Sequence, residues 1–231
     1  MVEQELDNYL DPHYIHKSNW LRAAVLGAND GILSTASIAV GVSAAVSDRE
    51  HIVLAALAGL VAGALSMAAG EYVSVSSQTD IEKSDIEREK EELAEMPELE
   101  LKMLARIYES RGLKKDTAML VAKELTAHDA LAAHVRDELG ITELHQAKPL
   151  QAALASGASF TFGGLMPLLV SVFLPVAGMV YYQYIFAIFF LIILGMVSAK
   201  TGGSKMMKAI LRITVWGTLA MVFSAIVGHF F

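Results

Sequence analysis

The sequence predicts an all-α membrane protein that crosses the bilayer five times, with a three-helix segment between its second and third spans. Three observations support this fold class. Of the 231 residues, 54% are hydrophobic, whereas soluble domains are about 45–50% apolar. Residues 149–199 carry no charged side chain. Residues 77–148, in contrast, hold 17 of the 25 acidic residues and 11 of the 18 Lys and Arg residues.

Five apolar stretches are long enough to cross a bilayer as helices, which takes about 20 residues. We predict spans near residues 22–46, 52–76, 150–174, 179–199 and 209–231. A short charged turn at residues 47–51 joins the first two spans into a helical hairpin. The predicted organisation is therefore an N-terminal segment (1–21), spans one and two (22–76), a polar segment (77–148) and spans three to five (149–231).

Positively charged residues in short loops predict the orientation, because such loops stay in the cytoplasm. The loop between spans four and five carries Lys200, Lys205, Lys208 and Arg212, whereas the turn after span three carries none. The N-terminal segment and the polar segment are then cytoplasmic as well. The polar N-terminus shows no cleavable signal. We expect a prokaryotic plasma membrane, with a vacuolar membrane as the alternative.

The polar segment is predicted to form three helices. The first continues out of span two to about Ala94, and Pro97 begins the second, which ends near Ser110. Asp116 is the expected N-cap of the third, which ends at Gly140. Helical spacing predicts an apolar face on each of the last two helices, namely Leu99, Met103 and Ile107, and Val121, Leu125, Ala132, Val135 and Leu139.

Asp30 is the only charged residue between Ala23 and Val46, inside the first span. A carboxylate at that depth costs about 2–3 kcal/mol or more to insert, and such groups usually face a bundle interior or an ion path. Asp30 therefore indicates a protein that handles protons or cations. The alternative is a structural carboxylate bonded to a neighbouring helix. Gly27 and Gly31 share one helix face and would allow another helix to approach closely.

Met67 and Glu71 lie four residues apart on span two and so share one face. A carboxylate beside a thioether suits Fe²⁺ better than Mg²⁺ or Ca²⁺. Met67 alone is also explained by ordinary packing, and Glu71 by contact with water. In a homodimer, two copies of Asp30 and Met67 would supply four ligands.

The polar segment contains further candidate ligands. Glu82, Asp85, Glu89 and Glu92 form one acidic stripe on its first helix. A bound cation would relieve their repulsion, but spacing alone favours a solvated face with salt bridges. The third helix carries two pairs at a spacing of four residues, Glu124 with His128 and His134 with Glu138. His128 lies near the predicted apolar face, so a core histidine is the alternative there.

Several function classes are excluded or disfavoured by the residues. The chain has no Cys, which excludes disulfides and thiolate metal sites. It shows no nucleophile–base arrangement, phosphate-binding loop or zinc-protease motif, so we expect neither an enzyme nor a nucleic-acid partner. Gly163, Gly164 and Pro167 in span three indicate either a broken helix or a packing notch.

Together these residues resemble the vacuolar iron transporter family, which includes the nodulin-21-like proteins. The resemblance covers the chain from about Asn19 onward. It is carried by residues 27–31 (GANDG), 62–72 (AGALSMAAGEY), 87–92 (EREKEE), 138–141 (ELGI) and 162–168 (FGGLMPL).

The resemblance implies a homodimeric transporter that moves Fe²⁺ and Mn²⁺ out of the cytoplasm in exchange for protons. We expect no cofactor, and Zn²⁺ is an alternative to Mn²⁺ as the second transported or bound metal. It places Asp30 and Met67 in the membrane path. It assigns cytoplasmic metal binding to Glu89, Glu92, Glu100 and Glu138. The alternative is a membrane-anchored metal sensor or scaffold, whose metal dependence would lie wholly in the polar segment.

The sequence departs from the family pattern at four positions. Met103 stands where plant members have a glutamate, and Gly59 where they have an acid on span two. His134 and Val135 stand where they have methionines. We expect Met103, His128 and His134 to be further candidate ligands.

Overall fold

The computed structural model describes residues 18–141 and 148–230, and within these ranges the chain forms seven α-helices and no strand. The helices are α1 (Ser18–Ala45), α2 (Arg49–Glu95), α3 (Pro97–Ser110), α4 (Lys115–Asp137), α5 (Pro149–Phe173), α6 (Met179–Thr201) and α7 (Met206–His229). The all-α prediction is confirmed. Residues 1–17 of the predicted N-terminal segment lie outside the described ranges.

Five of these helices are long and apolar enough to cross a membrane: α1, α2, α5, α6 and α7. Their bounds follow the predicted spans closely, although α1 begins at Ser18 rather than near residue 22. Helix α2 continues past its apolar part to Glu95, as the sequence predicts. Large apolar side chains such as Leu54 and Phe173 are exposed along these helices, as expected of surfaces that face lipid. The chain is therefore a membrane protein.

The chain divides into two compact units. We call residues 1–72 and 149–231 the membrane unit, and residues 73–148 the polar unit. In the membrane unit, α1 contacts α5, α6 and α7. Its core contains two apolar clusters, one around Phe160 of α5 and one around Leu191 of α6.

Glycines allow α1 and α5 to approach each other closely. A Cβ atom added at Gly27 would lie 2.7 Å from the backbone oxygen of Ser156, and one at Gly31 would overlap the backbone oxygen of Phe160. These contacts confirm the close approach predicted for this face. On α5, Gly163 packs equally closely against α1, and the helix continues through Pro167. This stretch is a packing notch and not a break in the helix.

The core of the polar unit lies between α3 and α4, which contribute the buried residues Leu104, Ala105, Ala122 and Ala133. The apolar face predicted for α3 is wrong, because Leu99 and Met103 are exposed. The buried face of α3 contains Leu104 and its neighbours instead.

Helix α4 also differs from its prediction. It begins at Lys115, its N-cap is Lys114 rather than Asp116, and it ends at Asp137. At Asp129 the backbone leaves the helical conformation (φ −160°, ψ 98°), which produces a kink. The Asp129 carboxylate accepts a hydrogen bond from the backbone N–H of Ala132 at 2.9 Å and so caps the second half of α4. A kink rotates the second half of a helix relative to the first. The buried residues of α4 therefore do not follow the single continuous face that was predicted for it.

Candidate metal centre

Four side chains of the polar unit bring metal-ligating atoms together. Each of Glu89, Glu100, His134 and Glu138 offers one ligand atom, and these atoms all lie within 4.8 Å of one another. We call them the four-residue cluster. Glu89 comes from α2, Glu100 from α3, His134 from the second half of α4, and Glu138 from the C-cap of α4. Three helices therefore contribute to a single site.

His134 occupies the centre of the cluster and is fully buried. Its Nδ1 atom lies 3.0 Å from Glu138 Oε2, 2.9 Å from Glu89 Oε1 and 3.8 Å from Glu100 Oε2. Nδ1 and Glu138 Oε2 are within hydrogen-bond distance of each other. A metal ion bound at Nδ1 would therefore lie next to all three carboxylates.

Two buried atoms of the cluster lack hydrogen-bond partners among the described residues. These are His134 Nε2 and Glu89 Oε1. Glu89 Oε1 lies 2.9 Å from His134 Nδ1, but the two atoms are not aligned for a hydrogen bond. Unpaired polar atoms in a protein interior are uncommon and usually have a specific cause, such as a ligand, an ion or a water molecule. Glu89 Oε1 faces the cluster, whereas His134 Nε2 lies on the ring edge opposite the Nδ1 atom that faces the carboxylates. Only the Glu89 oxygen is therefore an unpaired atom that an ion in the cluster would contact.

The cluster is electrostatically unfavourable without a cation. Burial raises the pKa of the Glu89 carboxyl, and the nearby carboxylates of Glu138 and Glu100 raise it further, whereas His134 lowers it. Burial is also the main cause of the raised pKa of Glu100. A divalent cation would replace these repulsions with attraction. Three carboxylates and an imidazole form a donor set suited to Fe²⁺, Mn²⁺ or Zn²⁺.

The rest of the acidic stripe does not enter the cluster. Arg88 lies 3.7 Å from Asp85 and 3.8 Å from Glu92, and the Glu92 side chain is 38% exposed. Glu82 accepts a hydrogen bond from Gln78. Asp85 and Glu92 are thus paired with Arg88, and Glu82 with Gln78, on a partly exposed face. Glu89 is the stripe's one member in the cluster.

Three further candidates also lie outside the cluster. Glu124, His128 and Met103 are exposed. The placement of His128 near the apolar face is therefore wrong. Because His128 precedes the kink at Asp129 and His134 follows it, two similar sequence pairs have different surroundings.

Asp30 lies on α1 and is half-buried. Its Oδ1 atom accepts a hydrogen bond of 2.7 Å from the hydroxyl of Ser34, one helical turn away. This hydrogen bond lies within α1. The alternative to a transport role, a carboxylate bonded to a neighbouring helix, supposed a bond between helices. Neither Ser34 nor the kink at Asp129 was predicted. Ser34 could have been found, because it follows Asp30 by four residues on one helix face. Asp is a common N-cap, but nothing in the sequence marks Asp129 as one.

Met67 and Glu71 lie on the membrane-unit part of α2, and both are half-buried. Met67 packs against the apolar cluster around Phe160. Met67 therefore makes the ordinary packing contact that was the alternative to a role as a metal ligand. A thioether can both pack in an apolar core and bind a metal ion.

Fold and site together define a polytopic α-helical membrane protein whose polar unit holds a carboxylate–imidazole cluster, with Glu89, Glu100 and His134 buried and Glu138 exposed. The sequence pattern of the VIT family matches residues 21–229. The chain belongs to this family, which confirms the resemblance described above. The family consists of transporters of metal ions and not of enzymes.

Several relatives match this chain over most of its length. A protein of Acanthamoeba castellanii named vacuolar iron transporter is 44% identical over 92% of this chain and 81% of its own. The vacuolar iron transporter homolog 4 of Arabidopsis thaliana is 32% identical over 98% of this chain and 93% of its own. The vacuolar iron transporter homolog 1 of Oryza sativa subsp. japonica is 37% identical over 90% of this chain and 72% of its own.

Proposed function

We propose that this protein exports Fe²⁺, and also Mn²⁺, from the cytoplasm in exchange for protons. The four-residue cluster carries the proposal, because it brings four potential ligand atoms within 4.8 Å of one another, three of them on buried residues, and because Glu89 Oε1 has no hydrogen-bond partner among the described residues. In this proposal the polar unit is cytoplasmic and captures the metal. The ion then passes to Asp30 and Met67 in the membrane unit, and Glu71 lines the same path.

Asp30 is proposed to bind metal and protons alternately. A carboxylate within the bilayer is costly when it is ionised and unpaired, so it favours either a cation or a proton. The hydroxyl of Ser34 at 2.7 Å fixes the orientation of the carboxylate. Asp30 is the sole acidic residue of α1, so removal of its charge should affect both exchange partners.

The protein is proposed to act as a homodimer, because one chain supplies only one Asp30 and one Met67. Two copies would give four ligands, a suitable number for a divalent ion. The sequence favours a prokaryotic plasma membrane, whereas the names of the relatives refer to vacuoles. Transport out of the cytoplasm is the proposed direction in either membrane.

The test is Fe²⁺ uptake into proteoliposomes that contain a metal-sensitive dye, with and without a proton gradient. The native chain is compared with Asp30→Asn. Asparagine keeps an oxygen that can accept the Ser34 hydrogen bond but removes the charge. Glu124→Gln is the matched control, because Glu124 is an exposed acid outside the cluster. We expect gradient-dependent uptake by the native chain and the control, and none by Asp30→Asn.

One alternative is a metal sensor or scaffold without transport. This alternative is supported by the location of the cluster, because all four of its residues belong to the polar unit. If the native chain binds Fe²⁺ but moves none under any gradient, the sensor replaces the exporter. If Asp30→Asn transports at the native rate, the proposed path through Asp30 is wrong.

A further inference from the structure

A polar contact outside the four-residue cluster joins the ends of two of its helices. The Asp137 carboxylate, on the last residue of α4, accepts hydrogen bonds of 2.7 Å from both Tyr108 and Arg111 of the α3 end. Arg111 also donates to the backbone oxygen of Asp137 at 3.2 Å. The Arg111 guanidinium lies 5.2 Å from the centre of the Tyr108 ring. We call Tyr108, Arg111 and Asp137 the clasp.

The clasp is a well-formed site and not a loose surface ion pair. The Asp137 side chain is only 8% exposed. Arg136 also donates to the Asp137 carboxylate at 2.9 Å, so three side chains converge on this buried group. Hydrogen bonds from guanidinium groups to a carboxylate are stronger than neutral ones.

The clasp lies directly beside Glu138, a member of the four-residue cluster, and so can affect the position of that ligand. Glu138 follows Asp137 directly and is the C-cap of α4, and helix ends fray more readily than helix interiors. A metal ligand at such an end loses affinity if the end moves, because ligand distances must be kept within about 0.2 Å. Arg111 bonds to both the side chain and the backbone of Asp137 and so holds this end against α3, which carries Glu100.

We propose that the clasp is a positioning device for metal capture, in that Tyr108 and Arg111 set the metal affinity of the four-residue cluster by fixing Glu138 through Asp137. This inference rests on the proposed function, because it requires the cluster to bind metal. Tyr108 and Arg111 are not ligands themselves. Their contribution should therefore depend on the presence of a ligating side chain at residue 138.

The experiment is a double-mutant cycle on the full-length chain in detergent micelles. Free Mn²⁺ is measured by electron paramagnetic resonance, and every variant also carries Asp30→Asn so that only the polar unit titrates. Arg111→Ala is combined with Glu138→Gln. We expect Arg111→Ala to weaken Mn²⁺ binding about fivefold when Glu138 is present, and less than about twofold in the Glu138→Gln background. Arg106→Ala, an exposed arginine on the same helix, should leave the affinity unchanged.

Each other outcome overturns the inference in a distinct way. An equal loss in both backgrounds would mean that Arg111 merely stabilises the polar unit. No loss when Glu138 is present would mean that the clasp does not position the ligand. If Arg111→Ala does not fold, Tyr108→Phe enters the same cycle, because it removes one hydroxyl bond and keeps the ring. If the Asp30→Asn chain with an intact cluster binds no Mn²⁺, the proposed metal site itself is wrong, and the clasp inference falls with it.

Discussion

Replacement of Glu89 by glutamine should have opposite effects on stability and on metal binding. Glu89 is 2% exposed, and its Oε1 atom has no hydrogen-bond partner among the described residues. Glutamine has nearly the same size but no charge. We expect the metal-free protein to become more stable, since one of three crowded carboxylates is removed. Metal affinity should fall, because an anionic ligand is lost.

The size of both effects follows from the geometry. Two ionised carboxylates with oxygens no more than 4.8 Å apart repel by about 3 kcal/mol or more at an effective dielectric constant near 20. Partial protonation of the cluster relieves some of this repulsion, so we expect a gain of about 1–2 kcal/mol in the free energy of unfolding of the metal-free polar unit. Loss of residues that only support a ligand already costs about 10–100-fold in metal affinity. Loss of the ligand itself should cost about 100-fold or more.

The assay pairs thermal unfolding, followed by far-ultraviolet circular dichroism in micelles, with Mn²⁺ titration. Glu92→Gln is the matched control, because Glu92 lies three residues further along α2 and is half-exposed beside Arg88. The control should leave Mn²⁺ affinity within about twofold of native. The reasoning is refuted if Glu89→Gln destabilises the metal-free protein by about 3–5 kcal/mol, the cost of breaking a buried ion pair. Glu89 and His134 would then form a structural pair.

Two further predictions concern pH and the packing of the spans. Because the pKa of Glu89 and Glu100 is raised above 4.5 in the folded state, their contribution to stability is complete below that pH and is lost as pH rises through the folded values. The melting temperature of the metal-free protein should therefore decrease as pH rises above 4.5, while stabilisation by Mn²⁺ increases. Parallel profiles with and without Mn²⁺ would contradict this. Gly31→Ala would bring a Cβ nearer than 3.0 Å to the backbone oxygen of Phe160, so we expect a lower melting temperature and less monodisperse protein. Gly70→Ala, with nothing within 4 Å, should match the native chain, and equal behaviour of the two variants would show that α1 and α5 can separate freely.

The spans could be predicted because their signals are local. A run of about 20 apolar residues has few alternatives to a membrane helix, and Pro97 marks the break between α2 and α3 in the sequence itself. A close helix approach along the face of Gly27 and Gly31 was also predictable, but the identity of the partner helix, α5, was not. The predictable features depend on single segments and not on how distant segments meet.

The cluster could be predicted only in part, because its membership depends on contacts between three helices. Glu124 with His128 and His134 with Glu138 have the same spacing, and nothing in the spacing separates them. Asp129 separates them, because its capping hydrogen bond kinks α4. A mid-helix aspartate among alanines fits a continuous helix equally well, so the phase change and the burial of His134 required the structure.

The cluster and the membrane path should contribute differently to transport. Transit requires sites that bind an ion firmly enough to admit it and weakly enough to release it. Three carboxylates and an imidazole hold a divalent ion more tightly than the single carboxylate that each chain offers at Asp30. The cluster is therefore suited to capture at low metal concentration, and Asp30 to rapid passage. In proteoliposomes that present the polar unit to the metal, Glu100→Gln should mainly raise the Fe²⁺ concentration needed for half-maximal uptake, and Asp30→Asn should abolish the maximal rate. If Glu100→Gln instead reduces the maximal rate at saturating Fe²⁺, the cluster is itself a step of the path, and the division between capture and passage is wrong.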